Sequence, residues 1–222
     1  MNDLVFLTWV RGPGLGIAVT IFFLGIVWRL IEVFALGRGK DFAVPRHRAG
    51  ASGWHTVFRR SIPFHGALSH STSTKVTYLG GYVFHAGFFI VLLLFTPHIE
   101  LFRNTLGLEW PGLPSRVVDF VAVITIVTMV IVLVDRITKP VKRFLSTFDD
   151  YFAWALTFLP LLTGWMAVQH LFVPYTRMLA IHILTVEIFL VFFPFTKLMH
   201  GASTWGARWY NGAVNGRKGV PV

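Results

Sequence analysis

The sequence predicts an all-α integral membrane protein, a bundle of five transmembrane helices. Of its 222 residues, 55% are hydrophobic and only 14% are charged, whereas soluble domains carry about 25% charged residues. Long apolar runs almost free of charge recur five times, and each is close to the roughly 20 residues that a spanning helix needs. The net charge of +10 in so apolar a chain fits loops facing an anionic membrane surface rather than nucleic acid. Cysteine is absent, which excludes disulfides, iron–sulfur ligation and thiolate catalysis within this chain.

The five predicted spans share an apolar run with few or no charged residues, and they cover 12–36, 76–99, 117–134, 151–173 and 178–199. The first contains Arg29 and Glu32, three residues apart, which can pair on one helix face. The third is the shortest and is bounded by charges at both ends. The fifth carries one acid, Glu187. No signal peptide is predicted, because the start of the sequence lacks a basic stretch and a small-residue cleavage site.

Positive charges are distributed unevenly between the two predicted sides of the membrane. Fifteen Lys and Arg residues fall on the side of the 37–75 loop and the C-terminal end, and four fall on the other side. By the positive-inside rule, the N-terminus is outside and the C-terminus is cytoplasmic. We therefore expect 1–222 to form one membrane domain with a basic cytoplasmic loop, 37–75, and a cytoplasmic tail, 200–222. No internal repeat of the kind found in secondary transporters is visible.

The basic loop and the tail each carry an aromatic pair with helical spacing. Trp54 and Phe58 are four residues apart, as are Trp205 and Trp209. Such pairs are typical of short helices or belts at the membrane interface. Docking of a cytoplasmic partner subunit on the loop is the alternative.

Four histidines lie in the second and fifth predicted spans, at positions 85, 98, 182 and 200. A polar side chain within the bilayer is costly and faces the bundle interior, a partner or a cofactor. His182 and His200 are 18 residues apart, which on one helix is five whole turns and about 27 Å. We therefore expect both imidazoles on one helix face, one near each leaflet, serving two cofactors stacked across the membrane.

The second span would supply one partner histidine for each leaflet. His85 lies toward the inner end with His200, and His98 toward the outer end with His182. Two neutral imidazoles from different helices suit a bis-histidine haem held within a bundle. His85 and His98 are about 140° out of phase on an ideal helix, but Pro97 is expected to bend the chain and reorient His98. The alternative for each histidine is a helix–helix hydrogen bond or solvation at a helix end. Room for a haem would come from small residues at positions 80, 81, 87, 163 and 164.

Three stretches of the sequence resemble one known family. These are Tyr82–Phe88, the 18-residue spacing of His182 and His200, and Pro194–His200. They resemble the cytochrome b (gamma) subunit of respiratory nitrate reductases, and they are similar to the membrane subunit of sulfite-reductase-associated and heterodisulfide-reductase-like complexes. The resemblance covers all five spans. Where the nitrate reductase pattern has its second histidine of the second helix, this sequence has Phe95, and His98 follows.

The resemblance implies two haem b groups, with His85 and His200 on the inner, proximal haem and His98 and His182 on the outer, distal one. It implies electron exchange between membrane quinol, either menaquinol or ubiquinol, and a cytoplasmic iron–sulfur subunit joined to a catalytic subunit. The complex would lie in a prokaryotic cell (inner) membrane. The chain itself would be an electron-transfer subunit of an oxidoreductase complex.

The resemblance also places a quinol site beside the distal haem at the outer surface. Glu100, Arg103 and His170 are the candidates there, and a plain surface-loop role is the alternative for each. An arginine can only donate hydrogen bonds at such a site. Glu187 is expected either to relay protons near the haems or to form a structural hydrogen bond to a Ser, Thr or Tyr of a neighbouring helix.

The preferred hypothesis is therefore a dihaem cytochrome b that oxidises quinol near the outer leaflet and passes electrons inward to its partner. One alternative is a quinone-reducing subunit of a heterodisulfide-reductase-like or sulfur-metabolising complex, and another is a cofactor-free membrane anchor. A membrane metalloenzyme such as a desaturase or protease is disfavoured, because the sequence has no His-x-x-x-His or His-Glu pair.

Overall fold

The structure, a computed structural model, describes residues 2–37, 44–61 and 72–220. Within this part of the chain every regular element is helical. The α-helices are α1 (Asp3–Trp9), α2 (Leu15–Ala35), α3 (Ala49–Ser61), α4 (Thr72–Leu94), α5 (Thr96–Leu106), α6 (Ser115–Thr138), α7 (Pro140–Leu145), α8 (Phe148–Val168), α9 (Tyr175–Phe192) and α10 (His200–Arg217). The rest of the predicted basic loop, at 38–43 and 62–71, lies outside the described residues.

Five helical segments are long and apolar enough to cross a membrane, so the predicted number of spans is confirmed. They are Asp3–Ala35, Thr74–Leu94, Ser115–Thr138, Phe148–Val168 and Tyr175–Phe195. Large apolar side chains along them point away from the protein, such as Phe23, Leu24 and Phe34 on α2, which are more than 60% exposed. A surface this apolar belongs in lipid. The chain is a multi-pass membrane protein.

The first span begins earlier than predicted, at Asp3 rather than at residue 12. Its helix is interrupted by one π-helical turn, Val10–Gly14, which contains Pro13. Because Pro13 has no N–H to donate and its ring crowds the preceding turn, the regular ladder loosens there into a π-turn.

The second span ends earlier than predicted, at Leu94 rather than at residue 99. Phe95 is extended, with φ −84° and ψ 123°, and α5 starts immediately after it with Pro97 in its first turn. Proline is favoured at that position because the N–H it lacks would have no partner anyway. His98 therefore lies on a separate short helix past the end of the span, and its phase relative to His85 on one ideal helix no longer applies.

The fifth span also differs from the prediction of one helix reaching residue 199. α9 ends at Phe192; two 3-10 turns follow, Phe193–Phe195 and Lys197–Met199, separated by extended Thr196. Proline in the first of these turns cannot continue the α-helical ladder. His182 and His200 are thus on different helices, and the inference that they share one helix face was wrong.

Packing divides the chain into two compact units. The first comprises 1–18 and 70–189, and the second comprises 19–69 and 190–222. In the first unit α4 packs closely against α6 through glycines. A Cβ at Gly87 would lie 1.9 Å from Oγ1 of Thr125, and one at Gly80 would lie 2.5 Å from Val132. These two glycines therefore serve helix packing and do not leave room for a cofactor, contrary to the prediction.

Ion pairs connect the ends of helices in the first unit. Arg177 at the start of α9 donates to Asp3 at the start of α1, at 2.9 Å. At the α6–α8 connection, Lys142 pairs with Asp135, and Arg136 pairs with Asp150 at 3.3 Å. The Asp3–Arg177 pair places the start of the first span and the start of the fifth at the same end of this unit, as alternating spans require.

In the second unit, α3 and α10 pack side by side and antiparallel. The backbone N–H of Arg46 donates to the carbonyl of Arg217 at 3.0 Å, and Arg208 donates to the Ser61 hydroxyl at 2.8 Å. The contact uses small residues, because a Cβ at Gly212 would lie 2.2 Å from the Thr56 hydroxyl oxygen. Part of the predicted basic loop is thus a helix held against the tail.

Candidate functional site

The structure brings two of the four predicted histidine ligands together in the first unit. The rings of His98 on α5 and His182 on α9 have centres 6.3 Å apart and planes 22° from parallel. Metal–imidazole bonds are about 2 Å long, and the ring centre lies about 1 Å beyond the nitrogen, so two imidazoles on opposite sides of one metal have centres about 6 Å apart. The separation of these rings matches that arrangement.

The His98 ring is held by a backbone carbonyl at the end of α4. Its Nδ1 lies 2.9 Å from the carbonyl oxygen of Val91, which is available because α4 stops before residue 95 can donate to it. A carbonyl only accepts, so Nδ1 carries the proton and Nε2 carries the lone pair that a metal needs. Burial lowers the pKa of His98 below its ordinary value, which favours the neutral ligand form.

The His182 ring is held by side chains of α8 and α9. Its Nδ1 lies 3.4 Å from Oγ1 of Thr163, which donates its own proton to the Leu159 carbonyl at 2.7 Å and so has lone pairs with which to accept. Oγ1 of Thr185 lies 3.0 Å from the same oxygen. Gly164, which follows Thr163 in the chain, also lies against the ring: a Cβ at this position would be 2.9 Å from Cε1 of His182. Thr163 and Gly164 therefore lie beside His182, and the space that Gly164 leaves is filled by the imidazole ring.

The break between α4 and α5 leaves carbonyls that the segment after α5 satisfies. Pro97 cannot donate to Leu93, four residues earlier. The indole N–H of Trp110 donates to the Leu93 carbonyl at 2.5 Å, and the N–H of Leu113 donates to the Leu94 carbonyl at 2.9 Å. The Leu93 and Leu94 carbonyls at the end of α4 are thus hydrogen-bonded and the helix end is not frayed. These bonds fix the point from which α5 and His98 begin.

The other two predicted ligands show the same pattern at Nδ1. In His85 on α4 this atom lies 2.6 Å from the Gly81 carbonyl, and in His200 at the start of α10 it lies 2.7 Å from the Lys197 carbonyl. Both side chains are exposed. His85 belongs to the first unit and His200 to the second. Among the described residues, no atom outside the helix's own backbone lies within 4 Å of a Cβ built at Gly81.

Two of the three quinol candidates line one cavity. It has a volume of about 260 Å³ and is bounded by Glu100 and Arg103 of α5 and by Trp110 and Pro111. Arg103 pairs with Glu109 at 3.5 Å across it. This volume is near the lower limit of about 300 Å³ for complete ligands, so it suits a ring or headgroup better than a whole lipid-soluble molecule.

The third quinol candidate, His170, lies elsewhere in the first unit. It is in the connection after α8, with a positive φ of 55°, and its ring is 5.2 Å from that of Tyr175. It does not line the cavity of Glu100 and Arg103.

Glu187 is buried within the first unit at 5% exposure. Its Oε1 has no hydrogen-bond partner among the described residues, so this oxygen does not make the expected bond to a Ser, Thr or Tyr. It lies instead against the π-turn, where a Cβ at Gly14 would be 2.6 Å away. Burying an unpaired carboxyl oxygen is costly, and proton transfer stays a hypothesis for this residue.

Sequence reasoning missed two residues that shape this site. Thr185 lies three residues after His182, a spacing that places both on one helix face, and this signal was in the sequence. Trp110 is distant from the histidines in the sequence. Its role depends on the Leu93 carbonyl, which Pro97 leaves without a helical donor and which accepts a hydrogen bond from the Trp110 indole. Within the described ranges, no three His, Asp or Glu side chains form a metal-binding cluster, so the candidate site consists of paired imidazoles.

The fold and the site together define a class: a five-span, multi-pass α-helical membrane protein in which two imidazole rings, those of His98 and His182, lie close together in the first unit. A curated protein of Nitratidesulfovibrio vulgaris, named only "Protein", is 33% identical over 199 residues, covering 86% of this chain and 85% of that protein. The chain belongs to the same family as this relative. No protein-family model and no solved structure matches the chain.

Proposed function

We propose that the chain is a dihaem cytochrome b, the membrane subunit that carries electrons between the quinol pool and an oxidoreductase partner similar to respiratory nitrate reductase. The observation that carries this proposal is the His98–His182 pair. Their ring centres are 6.3 Å apart, a separation at which His98 and His182 could hold one metal ion, and a hydrogen bond at each Nδ1 orients the ring as second partners orient metal-bound histidines.

In this proposal His98 and His182 hold the outer haem; for the inner haem, the ligands are the two that the sequence resemblance implies, His85 and His200. When bound, the haems supply one-electron redox chemistry. The chain contributes ligation and position. The Val91 carbonyl and Thr163 fix the two outer imidazoles, and the absence of a side chain at Gly164 allows the His182 ring to approach α8.

The cavity of Glu100 and Arg103 is the proposed quinol site. Both residues are on α5, the helix that carries His98, so a quinol ring there is close to the outer ligands. The Arg103 guanidinium donates hydrogen bonds to a quinol oxygen and cannot take its proton. The Glu100 carboxylate accepts that proton and, being exposed, releases it to the outer aqueous side.

The cytoplasmic side receives the electrons in this proposal. With its positive charges concentrated on the side of the basic loop and tail, the chain has its N-terminus outside and its C-terminus in the cytoplasm of a prokaryotic cell. Because it has no cysteine, any iron–sulfur cluster that accepts electrons belongs to a partner subunit, which is joined to the catalytic subunit.

Absorption spectra of the purified protein, recorded as reduced-minus-oxidised differences, test the proposal. We expect a b-type signal and two haems per chain. H98A and H182A both lose the outer haem and keep the inner one. H85A and H200A both lose the inner haem and keep the outer one. H55A, which changes an exposed histidine of α3, is the control and keeps both haems. A colourless protein would show that the chain is a cofactor-free anchor.

A further inference from the structure

The segments that contain the paired helices α3 and α10 are strongly basic. Residues 44–61 and 200–220, which include both helices, contain seven Lys and Arg residues and no Asp or Glu. Like charges this close together repel one another. An external anion that binds there relieves this repulsion.

Three of these arginines line one cavity at the end of the helix pair. The cavity has a volume of about 590 Å³, within the range of about 300–1,000 Å³ typical of ligand sites, and its lining comprises Pro45, Arg46, His47, Arg48, Ala49 and Arg217. The hydrogen bond from the Arg46 N–H to the Arg217 carbonyl, 3.0 Å long, fixes its two walls relative to each other. None of the described residues that line the cavity is acidic.

Aromatic side chains on the same two helices indicate a membrane surface rather than open water. Trp54 and Phe58 are 58% and 64% exposed and their ring centres are 6.2 Å apart, and Trp205 of α10 is 58% exposed. Exposed tryptophans beside arginines are typical of helices lying in the headgroup region. α10 begins five residues after the last spanning segment ends at Phe195, so its start cannot be more than about 18 Å from that end.

We propose that this cavity binds the phosphate of an anionic phospholipid headgroup, such as phosphatidylglycerol. Guanidinium groups match phosphate oxygens with two parallel hydrogen bonds, and the cavity presents three of them with His47 beside them. The apolar chains of the lipid remain in the bilayer next to the exposed aromatic side chains. This site is independent of the haem proposal, because it uses none of the four ligand histidines.

Native mass spectrometry of the protein reconstituted in nanodiscs tests the site, with phosphatidylglycerol or phosphatidylcholine as the probe. The wild-type chain is expected to retain phosphatidylglycerol and not phosphatidylcholine after the disc is removed. R46Q/R48Q lowers retention about tenfold or more, because it removes two guanidinium groups that form charge-assisted hydrogen bonds with phosphate. R59Q/R60Q is the matched control: it removes the same charge from the other end of α3 and leaves retention unchanged.

Several results would overturn the proposal. Equal loss in both double variants would mean that only the general charge of the surface matters. Displacement of the lipid by millimolar inorganic phosphate would identify a site for soluble phosphate instead. Unchanged lipid retention in R46Q/R48Q, together with loss of a co-purifying subunit, would assign the cavity to an acidic protein surface. If R46Q/R48Q does not fold, R46K/R48K keeps the charge but removes the planar fork, and retention equal to wild type would exclude recognition by arginine.

Discussion

In each of the four histidines, Nδ1 lies within hydrogen-bonding distance of a partner atom. For His85, His98 and His200 the partner is a backbone carbonyl, and for His182 it is a threonine hydroxyl. The carbonyl partners of His85 and His200 come from the neighbouring turn of the chain. The carbonyl partner of His98 comes from the interrupted end of α4. The partner of His182 comes from another helix, so its orientation depends most on tertiary packing and is the easiest to test by one substitution.

If the chain binds the two proposed haems, replacing Thr163 with valine is expected to weaken the outer one selectively. T163V keeps the shape of the side chain but removes the acceptor for the His182 N–H, and loss of such a partner typically costs 10–100-fold in metal affinity. Haem content and the midpoint potential of each haem, from a spectroscopic redox titration, provide the measurement. The inner haem should be unaffected.

Thr157 offers a matched control for this substitution. It lies on the same helix α8 and is 8% exposed, as Thr163 is, but its hydroxyl donates only to carbonyls of its own helix, those of Ala153 and Trp154. T157V should leave both haems at wild-type occupancy. Equal haem loss in the two variants would show that T163V acts through general destabilisation of α8.

At the scale of elements, a helix interruption creates the outer half of the candidate site. Pro97 ends the α4 ladder, and the freed carbonyls of Val91 and Leu93 are taken by the His98 ring and the Trp110 indole. Because a carbonyl that loses its helical partner must find another donor, the break both moves His98 out of α4 and supplies the atom that orients it.

The packing of α3 on α10 predicts that replacing glycine with alanine destabilises the protein at one position of α10 and stabilises it at another. A Cβ at Gly212 would lie 2.7 Å from the Ser52 carbonyl oxygen, whereas nothing lies within 4 Å of one at Gly206 on the same helix. G212A forces the helices apart, at an overpacking cost of about 1–3 kcal/mol, but G206A should stabilise α10 by up to about 1 kcal/mol through helix propensity.

Limited trypsin digestion at Arg59 and Arg60 of α3 measures this effect. Cleavage there should be faster in G212A than in the wild type, because α3 separates from α10, and slower or unchanged in G206A. If the two variants are digested at the same rate, α3 is not held by this contact.

The number of spanning helices could be predicted from the sequence, but several of their ends could not, including the ends of the second and fifth spans. Runs with few or no charged residues identify all five spans because the bilayer interior disfavours charge, whatever the neighbouring helices do. The same criterion extends a span past Phe95 and past Phe192, since the residues beyond each point are still largely uncharged. Both errors occur beside a proline, and the backbone geometry there decides where the chain turns.

The proximity of His98 and His182 could be predicted from the sequence, but the groups that orient their rings could not. Polar side chains in an apolar chain drew attention to the two histidines, and their expected depth in the membrane placed them together. The carbonyl of Val91 and the indole of Trp110 could not be identified, because their roles exist only once α4 has ended and the following segment has folded back on it.

For the whole molecule, the distribution of charge determines which face meets the cytoplasm. An odd number of spans places the two ends of the chain on opposite sides, and the Asp3–Arg177 pair shows that spans one and five start at the same end of the first unit. The excess of Lys and Arg on the side of the basic loop and tail predicts that this side is cytoplasmic. With this topology, the proposed lipid site, the proposed inner haem and the proposed docking of a partner would all be on the cytoplasmic side.

The absence of native cysteine makes this orientation directly testable by labelling. T105C introduces a thiol at an exposed position of α5, and A202C introduces one at an exposed position of α10. A membrane-impermeant maleimide added to spheroplasts, whose outer barrier has been removed, should label T105C at once and A202C only after the membrane is permeabilised. The reverse pattern would invert the protein and place the quinol cavity at the cytoplasmic face, and labelling of both thiols in intact spheroplasts would contradict an odd number of crossings.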